Sequence, residues 1–520
     1  MRRWIFGLGT VVGTTALVMA CSVGNDCDFG LCAGPIAVGP GGEGGPGEGG
    51  ADGDSGPKPP AGCDPTMEPK DSPKCVSSDF GVFVSPTGKP GGTGKMDDPV
   101  DTITGALAKI GPLRRVYICD GSYAEHVVLK SAIGLYGGFK CDTWAHDDAI
   151  KPVVGKITES GYGLDVQSVS GAFDIFDLEF GAGNGDDAVP NSVAARFVGT
   201  SGAVLRRVKL TARDGAPGKP GDPGVPGSTV APTAANGVDP IDPSGTQGNS
   251  TTPGTSKTCK CPNAPPAEST IGGAGGGLGG GGGQAGSPVL PPILPNDNGA
   301  GGDNGASTCA VPGGNGRNGA ARAQAGGGAV PTRLGIIDAD AWKPEGGTGG
   351  ATASAGEGGG GGSGQSAGAG SGGGCGGCGG FGGKAGTGGG ASVAMLTINS
   401  SVHISGELQS GKGGRGGDGG DGGDGAIGGF GGVHVGGAAG GNGCPGGDGG
   451  KGGKGGGGSG GAGGLSVGIL TSGTPPVTDG ATFTLGSFGD GGTGKSGNSG
   501  PPGIKANSAS VENVSTKTTM

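Results

Sequence analysis

Apolar residues are gathered into short β-type runs along this chain. The first dense stretch lies between Phe80 and Phe139. It holds Phe80-Gly81-Val82-Phe83-Val84, then Val116-Tyr117-Ile118-Cys119, Val127-Val128-Leu129 and Ile133-Gly134-Leu135-Tyr136, separated by Gly, Ser and Asp turns. Such pieces, with no hairpin pairs between them, predict a chain that winds round and stacks on itself. Between the first two, Asp101–Ile110 sets Ile103, Leu107 and Ile110 at i, i+4 and i+7. That spacing predicts one short helix, with Asp101 at its N-cap and Gly111-Pro112 as its stop. Stacked rungs leave an apolar end open, and this helix is the candidate lid.

Further on, four stretches share one pattern: Tyr162–Gly185, Ser192–Gly215, Ala391–Gly414 and Leu465–Gly492. Each opens with a strand, turns through small residues, runs through a second strand of period two, and then passes into Gly/Asp-rich sequence. The chain thus leaves and re-enters the pattern at equivalent points, as insertions at one corner of a stack of repeats do. Val193, Val393 and Val467 are expected on neighbouring rungs. Ile175, Val208, Ile404 and Phe483 are expected to stack inside.

The Phe80–Phe139 stretch also resembles the opening coils of right-handed parallel β-helix (pectin-lyase-like) proteins. The match rests on Phe83-Val84-Ser85-Pro86-Thr87-Gly88, Asp98-Pro99 with Thr102-Ile103 and Ala106-Leu107, Asp120-Gly121-Ser122-Tyr123 with Glu125, and Leu135-Tyr136-Gly137-Gly138-Phe139. The resemblance implies an all-β, right-handed parallel β-helix (solenoid). It implies no activity, because that fold hosts lyases, hydrolases, adhesins and inert scaffolds alike.

Composition then changes the picture. Of 520 residues, 140 are Gly and 38 are Pro, with aromatics at 4%, so a continuous large core is excluded and order is expected only where Val, Ile, Leu and Phe concentrate. The tracts Gly272–Gly283, Gly358–Gly383 and Gly411–Gly463 are of the Gly-Gly-X type, and Gly215–Gly227 repeats Gly-X-Pro. Glycine loses much entropy on ordering, which makes disorder the default expectation. The strict three-residue rhythm also suits bundled extended helices of three residues per turn. In composition these tracts resemble PE-PGRS-type glycine-rich surface proteins, without that family's helical N-terminal domain. A formal charge of −10 argues for solubility and against nucleic acid as a partner.

The N-terminus reads as an address. Met1-Arg2-Arg3 precedes the apolar run Trp4–Met19, and Val18-Met19-Ala20-Cys21 resembles the lipobox of bacterial lipoproteins. That resemblance implies a signal peptide over residues 1–20, acylation of Cys21, membrane attachment through the lipid, and, with Ser22 next, the outer membrane. Setting Cys21 aside leaves an even number of the 13 cysteines, which in an exported protein favours disulfides over metal ligation. Local pairs are Cys27 with Cys32, Cys63 with Cys75, and Cys119 with Cys141. The last pair is about one coil apart, and neighbouring rungs about 4.8 Å apart fit a disulfide. No partners are assigned to Cys259, Cys261, Cys309, Cys375, Cys378 and Cys444.

Several motifs match by letter only. Gly489–Ser496 fits the P-loop pattern, but Gly497, Gly500, Pro501 and Pro502 follow where the phosphate-binding helix should start. The Gly-Gly-Asp run with Asp418, Asp421 and Asp424 lacks the apolar residue of calcium-binding repeats. His126, His146, His403 and His434 form no triad or metal spacing. The candidate ligand face is the outward charge of two neighbouring strands, Asp174 and Asp177 beside Arg206 and Arg207. Its bland counterpart is a set of cross-strand ion pairs.

The expected layout is a tether over 21–78 and β-helix coils over 79–214. A glycine-rich insertion follows over 215–390, a coil over 391–410, and a second insertion over 411–464. A last coil over 465–488 leads to a Gly/Ser-rich tail over 489–520. The expected role is a non-catalytic envelope scaffold for adhesion or matrix contacts, with no cofactor. Extracellular polysaccharide or other surface proteins are the expected partners. The alternative is a polysaccharide lyase or hydrolase, or a carbohydrate-binding module.

Overall fold

The computed structural model describes residues 57–515 apart from 157–158, 229–236, 240–251, 262–268, 289–297, 307, 311–312, 367 and 434–442. Cys21, Cys27, Cys32, His434 and the first part of the expected tether lie outside the described residues. Regular structure among the described residues is almost all strand. Up to the first insertion come β1 (Val82–Lys89), α1 (Ile103–Lys109), β2 (Arg115–Cys119), β3 (Ser122–Tyr123), β4 (Val127–Leu129), β5 (Gly134–Phe139) and β6 (Val153–Val154). β7 (Gly161–Gln167), β8 (Phe173–Phe176), β9 (Glu179–Gly181), β10 (Ser192–Val198) and β11 (Ala203–Thr211) follow. The insertion holds two antiparallel hairpins, β12 (Lys257–Lys260) with β13 (Ser269–Gly272) and β14 (Gly335–Asp338) with β15 (Ala341–Pro344). Then come β16 (Ser392–Ile398), β17 (Val402–Ser410), β18 (Ser466–Ser472), β19 (Thr482–Leu485), β20 (Lys505–Ser510) and α2 (Val511–Ser515).

Two parallel sheets dominate. One runs β4-β7-β10-β16-β18-β20; the other includes β1-β2-β5-β8-β11-β17-β19, with β9-β6-β3 joined through β11. Their pairings are all parallel. Val193 lies opposite Val393, and Val393 opposite Val467, across excursions that separate them widely in sequence. Each of these rungs skips one small residue in its register, Gly163, Ala194, Ala394 or Gly468. A Cβ at Gly468 would stand 2.4 Å from the Phe483 ring, so this rung takes glycine where β10 and β16 take alanine. The next corner stacks Ser168, Gly199 and Asn399 at φ 52°, 57° and 48°. The amide of each of the three donates to the following rung: Ser168 to the Val198 carbonyl, Gly199 to Ile398 and Asn399 to Ser472.

The main core joins the two sheets and includes Leu135, Ile175, Leu205 and Ile404, aligned rung by rung and fully buried. The expected stack differs in two places. A register shift between Arg206 and Val208 puts Leu205, not Val208, between Ile175 and Ile404, and Phe483 pairs with Leu408 and is only partly buried. Helix α1 lies against β1, β2 and β4, near the first edge of both sheets. Its N-cap is Thr102 rather than Asp101: Thr102 is extended at φ −137°, and its side chain accepts from the Gly105 amide. Glu125 completes the cap, accepting from the amides of Ile103 and Thr104 at 2.7 and 2.8 Å. Ile103 and Ala106 are buried, while Leu107 and Ile110 pack partly against the core.

Both ends of the expected layout need correction. Residues 57–78 are not free chain but a strap, closed by Cys63–Cys75 and held to the outer face of β2 and β11 through contacts given below. Residues 489–515 are not a tail: β20 adds a further parallel rung, Val467 opposite Ala506, and α2 buries Val511 and Val514. Gly and Ser dominate the sequence there and hide the short run Lys505–Ser510 that carries the rung.

Over their described residues the glycine-rich tracts are ordered, which corrects the expectation of disorder. The amides of Gly215, Gly218, Gly221, Gly224 and Gly227 donate to the carbonyls of Lys412, Arg415, Asp418, Asp421 and Asp424, all at 2.7–2.8 Å. Residues 371–390 donate in the same three-residue step to 444–462, at Ser371, Gly374, Gly377, Gly380, Gly383, Gly386 and Gly389. They also bond to 215–227, 347–362 and 411–432. These are extended segments bundled by backbone hydrogen bonds on several sides, as three-residue repeats allow. Along 412–433 nearly every X residue is exposed and the glycines are almost all covered. A Cβ on Gly413 would fall 2.2 Å from the Gly464 carbonyl, and one on Gly414 1.9 Å from that of Ala216. Where a third side is covered too, X becomes glycine. In Gly358–Gly362, Cβ atoms would fall 1.9–2.0 Å from carbonyls of Ile271, Gly447, Ala300, Ala274 and Cys444 in turn.

Candidate functional site

The outer face of the first rungs carries an aromatic ladder. Phe83, Tyr117, Tyr136 and Phe176 are successive register partners, and Arg206 follows them. Ring centroids stand 5.1, 6.0 and 5.6 Å apart along the row. Arg206 lies 5.5 Å over the Phe176 ring, and Arg115 lies 4.8 and 5.2 Å over Phe80 and Tyr136, distances at which guanidinium and ring attract.

One or two residues along, the same rungs place Gly138, Asp177, Arg207 and Gly406 at positive φ. For Asp177 (φ 57°) and Arg207 (φ 53°) the left-handed conformation costs roughly 1–3 kcal/mol each. Their side chains hold it in place: Arg207 donates to Asp177 at 2.7 and 2.8 Å and to Glu68 at 2.6 Å. Arg206 donates to Glu68 at 3.0 Å, and His146 Nε2 sits 3.2 Å from Asp177. The Tyr136 hydroxyl donates to Asp174 at 3.0 Å.

The strap is therefore anchored by charge and backbone together. Arg115 donates to the Pro65 carbonyl at 2.6 Å and the Tyr117 hydroxyl to the Cys75 carbonyl at 2.5 Å. Burial pushes the Tyr117 hydroxyl up to about 12. Burial works upward on Glu68 as well, but hydrogen bonds from Arg207 and Arg206 outweigh it and hold the carboxyl below its ordinary value. Burial is the main reason Asp174 is raised, and Arg207 is raised chiefly by its bond to Asp177.

The four residues of the candidate ligand face are thus brought together, as sequence pairing implies. Asp177 pairs with Arg207, and both arginines with Glu68, while Asp174 bonds to Tyr136 instead. A cavity of about 10 Å³, with room for roughly one water, is lined by Asp177 and Glu68. Sequence reasoning missed Glu68, which it placed in the tether. The nearby signal was the Cys63/Cys75 pair, whose loop contains it. It also missed three long-range disulfides: Cys259–Cys375, Cys261–Cys378 and Cys309–Cys444. Cys119–Cys141 joins neighbouring turns with Cα atoms 5.0 Å apart. Asp418, Asp421 and Asp424 face Arg415, Lys495 and Lys454. Among the described residues no three His, Cys, Asp or Glu are grouped to hold a metal, and no helix is long and apolar enough to cross a membrane.

Comparison with known proteins finds no matching family model, curated protein or solved structure.

Glu68→Ala should loosen the strap. Faster hydrogen exchange over residues 63–75, with the sheets unchanged, is the expected result; unchanged exchange would remove the anchoring role. Because Glu68 is depressed in the folded state, its contribution is present above its unfolded value near 4.5 and lost as pH falls through the lower folded value. Strap protection should therefore hold at neutral pH and fade only in acid.

Proposed function

We propose that this chain is an exported, envelope-attached scaffold. Its core is a right-handed parallel β-helix, and its insertions form a rigid glycine bundle offered to solvent for adhesion or matrix contact. Attachment is through lipid on Cys21, and the outer membrane is its address. The observation that carries this reading is the bundle's dense three-residue hydrogen bonding, stapled by three long-range disulfides. That much ordered backbone gives a fixed display surface, and the disulfides favour an oxidising compartment. The ligand-face charges support a non-catalytic role, since Arg206 and Arg207 hold Glu68 of the strap and Asp177 holds Arg207.

Labelled palmitate should enter the wild-type chain and not Cys21→Ser, and the variant should leave the membrane fraction. Protease shaving of intact cells should release bundle peptides; their absence would place the bundle away from the surface. A second reading, a polysaccharide lyase or hydrolase acting on this face, draws on Arg206, half exposed at the end of a row of buried rings. Depolymerisation lost in both Arg206→Ala and Asp177→Ala would favour it, and glycan-array binding without turnover would favour the scaffold.

A further inference from the structure

In the bundle, residues 346–390, 411–433 and 446–464 contain no proline, and Pro445, half-buried, stands just before the last of them. Two outer segments differ. In residues 215–227 the glycine amides donate to 412–424, and the carbonyls of Ala216, Lys219, Asp222 and Val225 accept from Gly390, Thr387, Lys384 and Phe381. The third position of each triplet is Pro217, Pro220, Pro223 or Pro226, and all four are exposed. In the second segment Gly500 and Gly503 donate to Gly492 and Gly489, Pro501 accepts from Gly463, and Pro502 is exposed.

A row of free amides on an extended segment is a template for another chain, the same hazard that an unpaired sheet edge presents. The chain itself shows what such a row accepts: a glycine segment in three-residue step. Proline removes the donor and puts a ring where the neighbouring backbone would lie. We propose that Pro217, Pro220, Pro223, Pro226 and Pro502 bar a Gly-Gly-X segment of a second copy of this chain from adding to the bundle. On the sides formed by 215–227 and 500–503 the bundle stops where the prolines stand; the outer segment 316–328, which also docks in three-residue step, carries none.

Three versions of the full chain test this, each carrying Cys21→Ser so that lipid plays no part. They are the parent, one with the four prolines of 215–227 changed to Gly, and one with the same four changed to Ala. In sedimentation velocity the Gly version should form dimers or larger species as concentration rises. The parent should not, and neither should the Ala version, because its Cβ still bars close approach. Hydrogen exchange should show Gly218, Gly221 and Gly224 protected in all three. A Gly version that stays monomeric with that protection intact overturns the proposal. So does lost protection, which would mean that the prolines hold the segment extended, and so does association of the Ala version as strong as that of the Gly version.

Discussion

Gly380→Val is expected to dismantle the glycine bundle while the two parallel sheets stay folded. Gly380 donates to the Gly453 carbonyl and accepts from the Ala353 amide, both at 2.9 Å. A Cβ there would stand 1.9 Å from the Gly423 carbonyl oxygen. The obstacle is backbone, so no change of rotamer relieves it, and the 411–432 segment must move away. Overpacking typically costs about 1–3 kcal/mol, and separated segments also lose hydrogen bonds worth about 1 kcal/mol each. A loss at or above the upper end is expected. Hydrogen exchange at Gly377 and Gly383 should rise sharply, while that of β10 and β16 should not. Lys384→Ala, at an exposed X position of the same segment, should stay within about 0.5 kcal/mol. If the two variants behave alike, close glycine packing is not what holds the bundle.

The second large effect is expected from the paired staples. Cys259–Cys375 closes a span of 116 residues and Cys261–Cys378 one of 117. On the chain-entropy account, a loop of that size is worth about 5 kcal/mol. The two bridges close nearly the same loop, so the second adds little once the first is made. Replacing either pair by Ser should cost about 1 kcal/mol or less, and replacing both should cost about 4–5 kcal/mol. Urea unfolding of the bundle measures all three. Single losses that simply add to the double loss would show that each bridge acts locally rather than through loop closure.

The rungs could be read from sequence because their signal is local and repeated. Strand, small-residue turn and second strand recur around Val193, Val393 and Val467, and the excursions leave after the second strand each time. The order of the glycine tracts was harder to read. A lone Gly-Gly-X segment loses entropy and gains nothing, since its bonds exist only once neighbouring segments are held alongside. Yet composition does record the surroundings. Residues 215–227, on the outside, keep one glycine per triplet; 412–433 keep two in every triplet but the one with Ala426, with X outward; and Gly358–Gly362, enclosed, has nothing else. The long-range cysteine partners depend on how segments far apart in sequence lie against each other, so no local pattern names them. The strap was hidden for a different reason. A Gly/Pro-rich stretch gives no period, and only the partners of Glu68 and Cys75 reveal that it is fixed.

The common three-residue step also constrains how this protein can change. Lengthening or shortening one of residues 347–362, 371–390, 411–432 or 444–464 by a single residue would rotate every later X side chain from solvent into a neighbour's carbonyls. Adding or removing a whole triplet merely moves the end of the ribbon. Natural length variation in these insertions should therefore come in multiples of three amino acids, as though the folded chain kept a reading frame of its own.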